Sequence, residues 1–486
     1  EPVLTDGDVQ PITLAQEAGR RIYQNSLILL LVAAVQELFP QAGVTVDHSL
    51  TFGGFFCRVQ GYRPFTIREL SEIELRMRAL VAQDLPIGLE TVAGPGQSTV
   101  TIRILGQARE RFHGPLVPST GYLAHFALRP YPPGFVLQFP PRGQAAALGQ
   151  VRHYPKLTAV FQEYGQWLKL LGVPDVEALN QALSAGRARE IILVAEALHE
   201  QRMAEIAADI ARRRGHTRLV LMAGPSSSGK TTFARRLTVQ LLAHGLRPFP
   251  ISLDDYFVDR QRTPRDEKGG YDFEALEALD LELLNRQFVA LLAGETVTMP
   301  RYSFERGQRE TGPAVQLAPD HILLVEGIHG LNPALLPLVP AESIYRIYVS
   351  ALTQLKLDSL NRIPTTDTRL VRRIVRDARD RGYGAHDTIA RWDSVRRGEE
   401  RHIFPYQEHA DAMFNSALAY ELAVLKPLAE PLLRQVEPGS PEYVEARRLL
   451  AFLDWFLPWE PTLVPEDSIL REFIGGSVVV DFLPTL

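Results

Sequence analysis

Residues 219–237, LVLMAGPSSSGKTTFARRL, pass from an apolar strand pattern through a Gly- and Ser-rich turn into an amphipathic helix. The turn has glycines at 224 and 229 followed by Lys230 and Thr231, the G-x-x-x-x-G-K-T spacing of a phosphate-binding loop. Each residue type has a physical reason to be there. The glycines let the backbone curl into a nest of inward N–H groups, and the following helix adds its positive N-terminal end. Gly224, Ser226, Ser227, Ser228, Gly229, Lys230, Thr231 and Thr232 are therefore the candidate contacts to ATP. Among them Lys230 can reach the β- and γ-phosphates, and the Thr231 hydroxyl can bind Mg²⁺. So short a motif also arises by chance, and context separates the cases. Leu219, Val220 and Leu221 supply the strand before it; Phe233, Leu237 and Leu241 recur at i, i+4 and i+8 on one helical face after it.

Two further apolar runs end in acids. Residues 250–257, PISLDDYF, place Asp254 and Asp255 about one helix beyond the loop, and residues 322–327, ILLVEG, place Glu326 after a second strand pattern. Open α/β sheets present functional side chains at the carboxyl ends of their strands. Asp254 there can accept the proton of an acceptor hydroxyl or join a Mg²⁺ shell, and Glu326 can complete that shell with Thr231. A turn or N-cap role is the plain alternative for Asp254. Over residues 367–382 the spacing of 100° per residue gathers Arg369, Arg372, Arg373, Arg376 and Arg379 on one helical face, with Leu370, Val371, Ile374 and Val375 on the other. Such a helix can close over ATP as a lid, because guanidinium groups neutralise phosphoryl charge in planar, bidentate contacts. A solvated face balanced by Asp377 and Asp380 and a nucleic-acid-binding helix are its rivals.

The chain has 486 residues and one cysteine, with a formal net charge of −5. At ~100–200 residues per domain, two to four domains are expected. The charge gives no global pull toward nucleic acid, and Cys57 reads as a small core hydrophobe in a reducing compartment. The apolar run 27–35 is far shorter than the ~20 residues of a spanning helix. It reads as a buried helix, so no membrane partner is expected. The start, EPVLTDGD, lacks Met and has no signal-peptide pattern, which suggests a trimmed chain and a cytoplasmic location. Residues 1–150 read as one α+β domain, with helices over 22–38 and 67–81 and a strand over 98–105. Residues 151–215 read as a helical connector. Residues 216–430 alternate strand and helix as a parallel sheet covered by helices. Residues 431–486 read as a structural extension, helical over 443–456 and strand-like over 477–482.

Six ordered motifs carry a family resemblance: 224–232 GPSSSGKTT, 252–257 SLDDYF, 271–280 YDFEALEALD, 300–304 PRYSF, 325–328 VEGI and 367–373 DTRLVRR. In this order they resemble the uridine kinase and phosphoribulokinase family of P-loop kinases. The resemblance implies transfer of the ATP γ-phosphate to a hydroxyl of a small-molecule acceptor, the 5′-OH in pyrimidine nucleosides. It implies Asp254 as general base and Mg²⁺-shell acid, Glu326 as Mg²⁺ partner, and Lys230 and Thr231 as phosphate and metal ligands. Arg372 and Arg376 become catalytic lid or acceptor contacts. Tyr256, Glu274 and Tyr302 join Asp254 and Arg372 on the acceptor side, with Glu274 where the family holds ribose hydroxyls through an Asp. The family's base-contacting His falls at Gly307, with Arg301 and Arg306 nearby, so an anionic or sugar-like acceptor stays open. Residues 326–332 EGIHGLN, 396–400 RRGEE and 468–476 SILREFIGG resemble the long bacterial branch of uridine kinase-like proteins.

Residues 20–125 are similar to the editing domain of threonyl-tRNA synthetase, through 32–40 VAAVQELFP, 64–66 PFT, 84–87 DLPI and 114–121 GPLVPSTG. That domain uses three histidines and a cysteine, and the matching positions here are Asn25, Leu29, Phe112 and Leu116. Leu and Phe cannot ligate a metal, so hydrolysis by that route is not expected; His48 and His113 read as solvated or capping groups. A scaffold, a homo-oligomer surface or an acceptor-side wall is the role expected of this domain. A tRNA-linked ATP switch, or NTP hydrolysis without transfer, is the reading from a different class.

Overall fold

The computed structural model describes residues 11–93, 99–144, 146–265, 269–480 and 482. Contacts divide the chain into two units: Glu1–His153 together with Lys356–Arg362, and Tyr154–Leu355 together with Ile363–Leu486.

In the first unit the elements run α1 (Glu17–Leu38), β1 (Gly43–Leu50), β2 (Gly54–Gln60), α2 (Ile67–Ala82), β3 (Gly88–Ala93), β4 (Thr99–Leu105), β5 (Ala108–Arg111), β6 (Ala127–Tyr131) and β7 (Gly134–Gln138). They form antiparallel sheets ordered β1-β2-β7-β6 and β3-β4-β5. The apolar run 27–35 lies inside α1 and is buried throughout, and no helix among the described residues is long and apolar enough to cross a membrane. Helix α2 starts at a capping box, in which Thr66 and Glu69 satisfy each other's backbone N–H groups. Its Leu70, Ile73, Met77 and Leu80, spaced three and four apart, face the same core as α1. Cys57 is fully buried there, and burial pushes its thiol up to about 12.

Residues 356–362 return to this unit from far along the chain. Val46 N–H donates to the Ser359 carbonyl at 3.0 Å, Leu360 joins the apolar core, and the Asn361 amide donates to the Arg111 carbonyl at 2.7 Å. Lys356 and Arg58 both pair with buried Asp47, at 3.2 and 3.0 Å. Burial works against the Asp47 charge, yet His48, Lys356 and Arg58 hold its carboxyl below the usual range.

The second unit begins with α3 (Pro155–Leu170), α4 (Val176–Ser184) and α5 (Ala188–Arg212), the stretch expected as helical connector. Then follow β8 (Leu219–Ala223), α6 (Lys230–Ala243), β9 (Arg247–Ser252), α7 (Leu281–Leu292), β10 (Val297–Ser303), β11 (Gln308–Val315), β12 (His321–Glu326) and β13 (Ile344–Ser350). The unit ends with α8 (Thr365–Asp380), α9 (Ala385–His402), β14 (Ala412–Asn415), α10 (Glu421–Leu433), α11 (Pro441–Leu453) and α12 (Arg471–Ile474). Five strands form a parallel sheet in the order β14-β13-β8-β12-β9, with helices around it. Every residue of β8 is buried, as the uninterrupted apolar run 219–223 requires of a strand covered on both faces. This is a P-loop-type α/β fold preceded by an α+β unit. The register sets Glu326 opposite Met222 on β8 and Ser252 on β9, so the three motif-bearing strands end side by side.

One expectation fails in the tail. Among its described residues the 477–482 stretch forms a turn, not a strand, and residue 481 lies outside the described residues, as does Ser98 at the expected start of β4.

Candidate active site

The loop after β8 is shaped as its glycines demand. Gly229 has φ 83°, and a Cβ there would stand 2.5 Å from Ile469 Cγ2; a Cβ on Gly224 would overlap the Val349 carbonyl. Lys230 Nζ donates to the carbonyls of Gly224 at 2.9 Å and Pro225 at 3.1 Å. Thr231 Oγ1 lies 3.2 and 3.1 Å from the two carboxylate oxygens of Glu326. The hydroxyls of Ser227 and Ser228 are buried without a hydrogen-bond partner among the described residues. These features fit a nucleotide phosphate and Mg²⁺: orphaned hydroxyls line the nest, and Thr231 with Glu326 offers hard oxygen donors only.

Asp254 stands in the short turn that follows β9, where its N–H donates to Ser252 Oγ at 3.3 Å and its side chain is open to solvent. Glu274 packs so closely on Gly398 that a Cβ there would overlap it. Burial lifts the Glu326 carboxyl to about 7, with Asp254 and Glu472 adding to the effect and Lys230 opposing it. Burial likewise lifts Glu274 to about 7, helped by Glu399. Lys230 is pushed down by its own burial, while Glu326, Glu472, Asp254 and Glu274 work against that loss of charge. The structure thus brings Lys230, Thr231, Asp254, Glu274 and Glu326 into one cluster.

The arginine helix is arranged differently from the expectation. Leu370, Val371, Ile374 and Val375 are buried as the periodicity implies, but Arg369 and Arg372 are buried as deeply. Arg369 forms a bidentate pair with Glu399 of α9, with one bond at 2.8 Å. Arg372 Nε donates to Glu421 of α10 at 2.5 Å, and its Nη2 to the Ser416 carbonyl at 2.7 Å. Arg372 is therefore a buried strut rather than the lid or acceptor contact that the family resemblance implied. Arg376 pairs with Asp377 at 2.8 Å on its own helix. Three of the arginines reach the loop: Arg369 Nη1 donates to the Ser226 carbonyl at 3.0 Å, Arg372 Nη1 to the Ser227 carbonyl at 3.5 Å, and Arg373 Nη1 to Ser226 Oγ at 2.9 Å. Ser226 N–H in turn donates to Glu399 at 3.0 Å, and Thr232 N–H to Glu472 at 3.1 Å. Glu399, Glu421 and Glu472 had no assigned role in the sequence reading. The first and last lie in the quoted stretches 396–400 and 468–476, but nothing in a linear sequence names their partners.

Among the residues expected to face the acceptor, Tyr302 is buried with its hydroxyl unpartnered among the described residues and its N–H donating to Asp255 at 3.2 Å. Its ring packs edge-on against Phe257 and Phe304, at 5.6 and 5.2 Å. Tyr256 differs from the expected substrate contact: it is fully buried, and its hydroxyl is taken by Gln287 at 2.9 Å. At Gly307 a Cβ would meet the Arg260 guanidinium at 2.8 Å. Arg306 is paired with Glu310.

The four synthetase-matching positions of the first unit are placed as follows. Leu29 and Phe112 are core residues, Leu116 packs on that core, and the Asn25 amide donates to the His113 carbonyl at 3.4 Å. His48 is not solvated: it is 2% exposed, beside Asp47 and against the Phe56 ring, and burial lowers its pKa.

A parallel sheet with a G-x-x-x-x-G-K-T nest and an acid at the end of the neighbouring strand defines a P-loop kinase. The chain belongs to the Phosphoribulokinase / Uridine kinase family, whose sequence profile matches residues 219–422. It is 30% identical over 191 residues to the uridine kinase of Halobacterium salinarum, covering 39% of this chain and 76% of that protein. The threonine–tRNA ligase of Verminephrobacter eiseniae is 34% identical over 148 residues, which cover 26% of this chain and 23% of the ligase. Among solved structures, a possible uridine kinase from Bacillus stearothermophilus aligns with 21% identity and a TM-score of 0.31, over 44% of this chain and 98% of that one.

Proposed function

We propose that the protein is a Mg²⁺·ATP-dependent kinase that phosphorylates a hydroxyl of a small molecule, foremost the 5′-OH of a pyrimidine nucleoside. The observation that carries this reading is the convergence of Lys230, Thr231, Asp254 and Glu326 at the ends of β8, β9 and β12. In this reading Asp254 accepts the acceptor's hydroxyl proton as its oxygen bonds to the γ-phosphorus. The bond to the bridging oxygen breaks and ADP leaves, with Lys230 compensating charge on the phosphates. Mg²⁺, held by Thr231 and Glu326, would supply charge neutralisation at the β- and γ-oxygens. Phosphoryl transfer depends mainly on such positioning and electrostatics, so the protein's task is to hold these groups in a partly dehydrated cleft.

Gly307, set against the Arg260 guanidinium, favours a second acceptor class, a sugar or sugar phosphate. The test is a mass-spectrometric assay of Mg²⁺·ATP with uridine, cytidine, other nucleosides, ribulose 5-phosphate and free sugars. A pyrimidine 5′-monophosphate supports the first reading and a phosphorylated sugar the second. ADP formed at one slow rate in every well, with no new phosphate ester, rejects both in favour of a tRNA-linked switch or hydrolase.

A further inference from the structure

The first turn of α6 needs an anion. Its N-cap, Gly229, has no side chain, so the amides of that turn have no local acceptor. Thr232 N–H has nevertheless found one in Glu472, whose Oε2 accepts at 3.1 Å. That carboxylate comes from α12, some 240 residues along the chain, and it acts electrostatically on both Lys230 and Glu326.

The backbone that carries Glu472 is firmly held. Ser468, Ile469, Leu470 and Phe473 are buried. Ser468 Oγ donates to Glu196 at 2.6 Å, the Phe473 ring lies under the Arg372 guanidinium at 4.9 Å, and Arg379 donates to the Glu472 carbonyl at 3.0 Å. The Glu472 side chain itself is only partly buried, so its own torsions can move the carboxylate while α12 stays in place.

We infer that Glu472 is an intramolecular anion in the phosphate cradle, which a nucleotide must displace from Thr232 N–H in order to bind. This rests on the reading of the loop as a nucleotide site. One N–H cannot serve a carboxylate oxygen and a phosphate oxygen together, and two like charges that close repel strongly in a site shielded from bulk water. Glu472 thus lends its charge to the helix end and to Lys230, and it sets the affinity for nucleotide through competition.

The test is titration of the full-length protein with ADP, without Mg²⁺, for the wild type and for Glu472→Gln. The amide oxygen of Gln can still accept from Thr232 N–H but carries no charge. Kd for ADP is expected to fall about tenfold or more in the variant, and the ratio of the two Kd values to shrink as KCl rises from about 50 to 500 mM. Glu472→Asp, which withdraws the carboxylate by one methylene, gives a smaller tightening and guards against a folding defect specific to Gln. Unchanged or weaker ADP binding in both variants overturns the role of Glu472 alone. No ADP binding by the wild type overturns the nucleotide site itself, and the inference with it.

Discussion

Arg372→Ala is the sharpest test of how this site is held. Arg372 is fully buried, with Nε on Glu421 at 2.5 Å, Nη2 on the Ser416 carbonyl at 2.7 Å and Nη1 on the Ser416 hydroxyl at 3.3 Å. Truncation leaves Glu421, itself 2% exposed, with the Leu418 N–H at 3.1 Å among its remaining partners. Breaking a buried pair from one side costs about 3–5 kcal/mol, a large share of a total stability of roughly 5–15 kcal/mol. Burial already raises the Glu421 pKa and Arg372 opposes that rise, so the variant protonates Glu421 more readily. An acid whose folded pKa is raised loses stability as pH climbs, and the defect should therefore be larger at pH 8 than at pH 6. All four tryptophans, Trp167, Trp392, Trp455 and Trp459, lie in the second unit, so urea unfolding followed by Trp fluorescence reads that unit. The double variant Arg372→Met with Glu421→Leu, which removes both charges, should recover most of the loss. An Arg372→Ala protein within about 1 kcal/mol of wild type but without turnover would refute this reasoning and return Arg372 to the substrate.

The other predictions are simpler. Asp254→Asn should lower kcat by ~10²–10⁴ with ATP affinity largely kept; near-normal turnover of the best acceptor would remove Asp254 as base. Burial pushes His199 down to about 3, with Arg236 and Arg372 adding to it. A base with a depressed folded pKa is bound neutral, so its stabilising contribution is full above its unfolded pKa of about 6.5 and fades as pH falls, by about 2 kcal/mol at pH 5. His199→Gln should flatten the pH 5–7 slope of urea-unfolding stability by that amount, and an unchanged slope would show that His199 is not its source. Asn361→Ala removes the bond to the Arg111 carbonyl and should cost the first unit about 1–3 kcal/mol. Hydrogen exchange should then quicken in 44–60 and 108–113; unaltered protection would mean that Asn361 does not anchor these segments.

The active-site loop could be read in the sequence because its requirements are local. Glycines at 224 and 229, Lys230 and Thr231 act through the backbone they belong to, and the strand and helix patterns beside them span only a few residues. Asp254 and Glu326 were legible for a similar reason, since each ends an apolar run and a parallel sheet aligns such ends. The buried run 27–35 and the face of α2 followed from their spacing in the same way.

What pairs with the arginines was not legible. Helical periodicity places Arg369, Arg372, Arg373 and Arg376 on one face, but it cannot say whether that face meets solvent, phosphate or carboxylates. Glu399 and Glu421, brought in by later helices, pair with Arg369 and Arg372, which then meet the loop through its carbonyls, whereas Arg373 meets the Ser226 hydroxyl. Tyr256 turned into the core for the same kind of reason, because Gln287 on α7 was there to receive its hydroxyl.

By itself, then, the sequence determined the phosphate loop, the parallel sheet that presents it and the kinase family to which they belong, because local spacing encodes all three. Tertiary structure alone decided which charges are spent on holding the fold and which remain for chemistry. A buried ion takes its role from the partner that enters its low-dielectric surroundings, and here those partners, Glu399 for Arg369 and Glu421 for Arg372, lie 30 and 49 residues away along the chain.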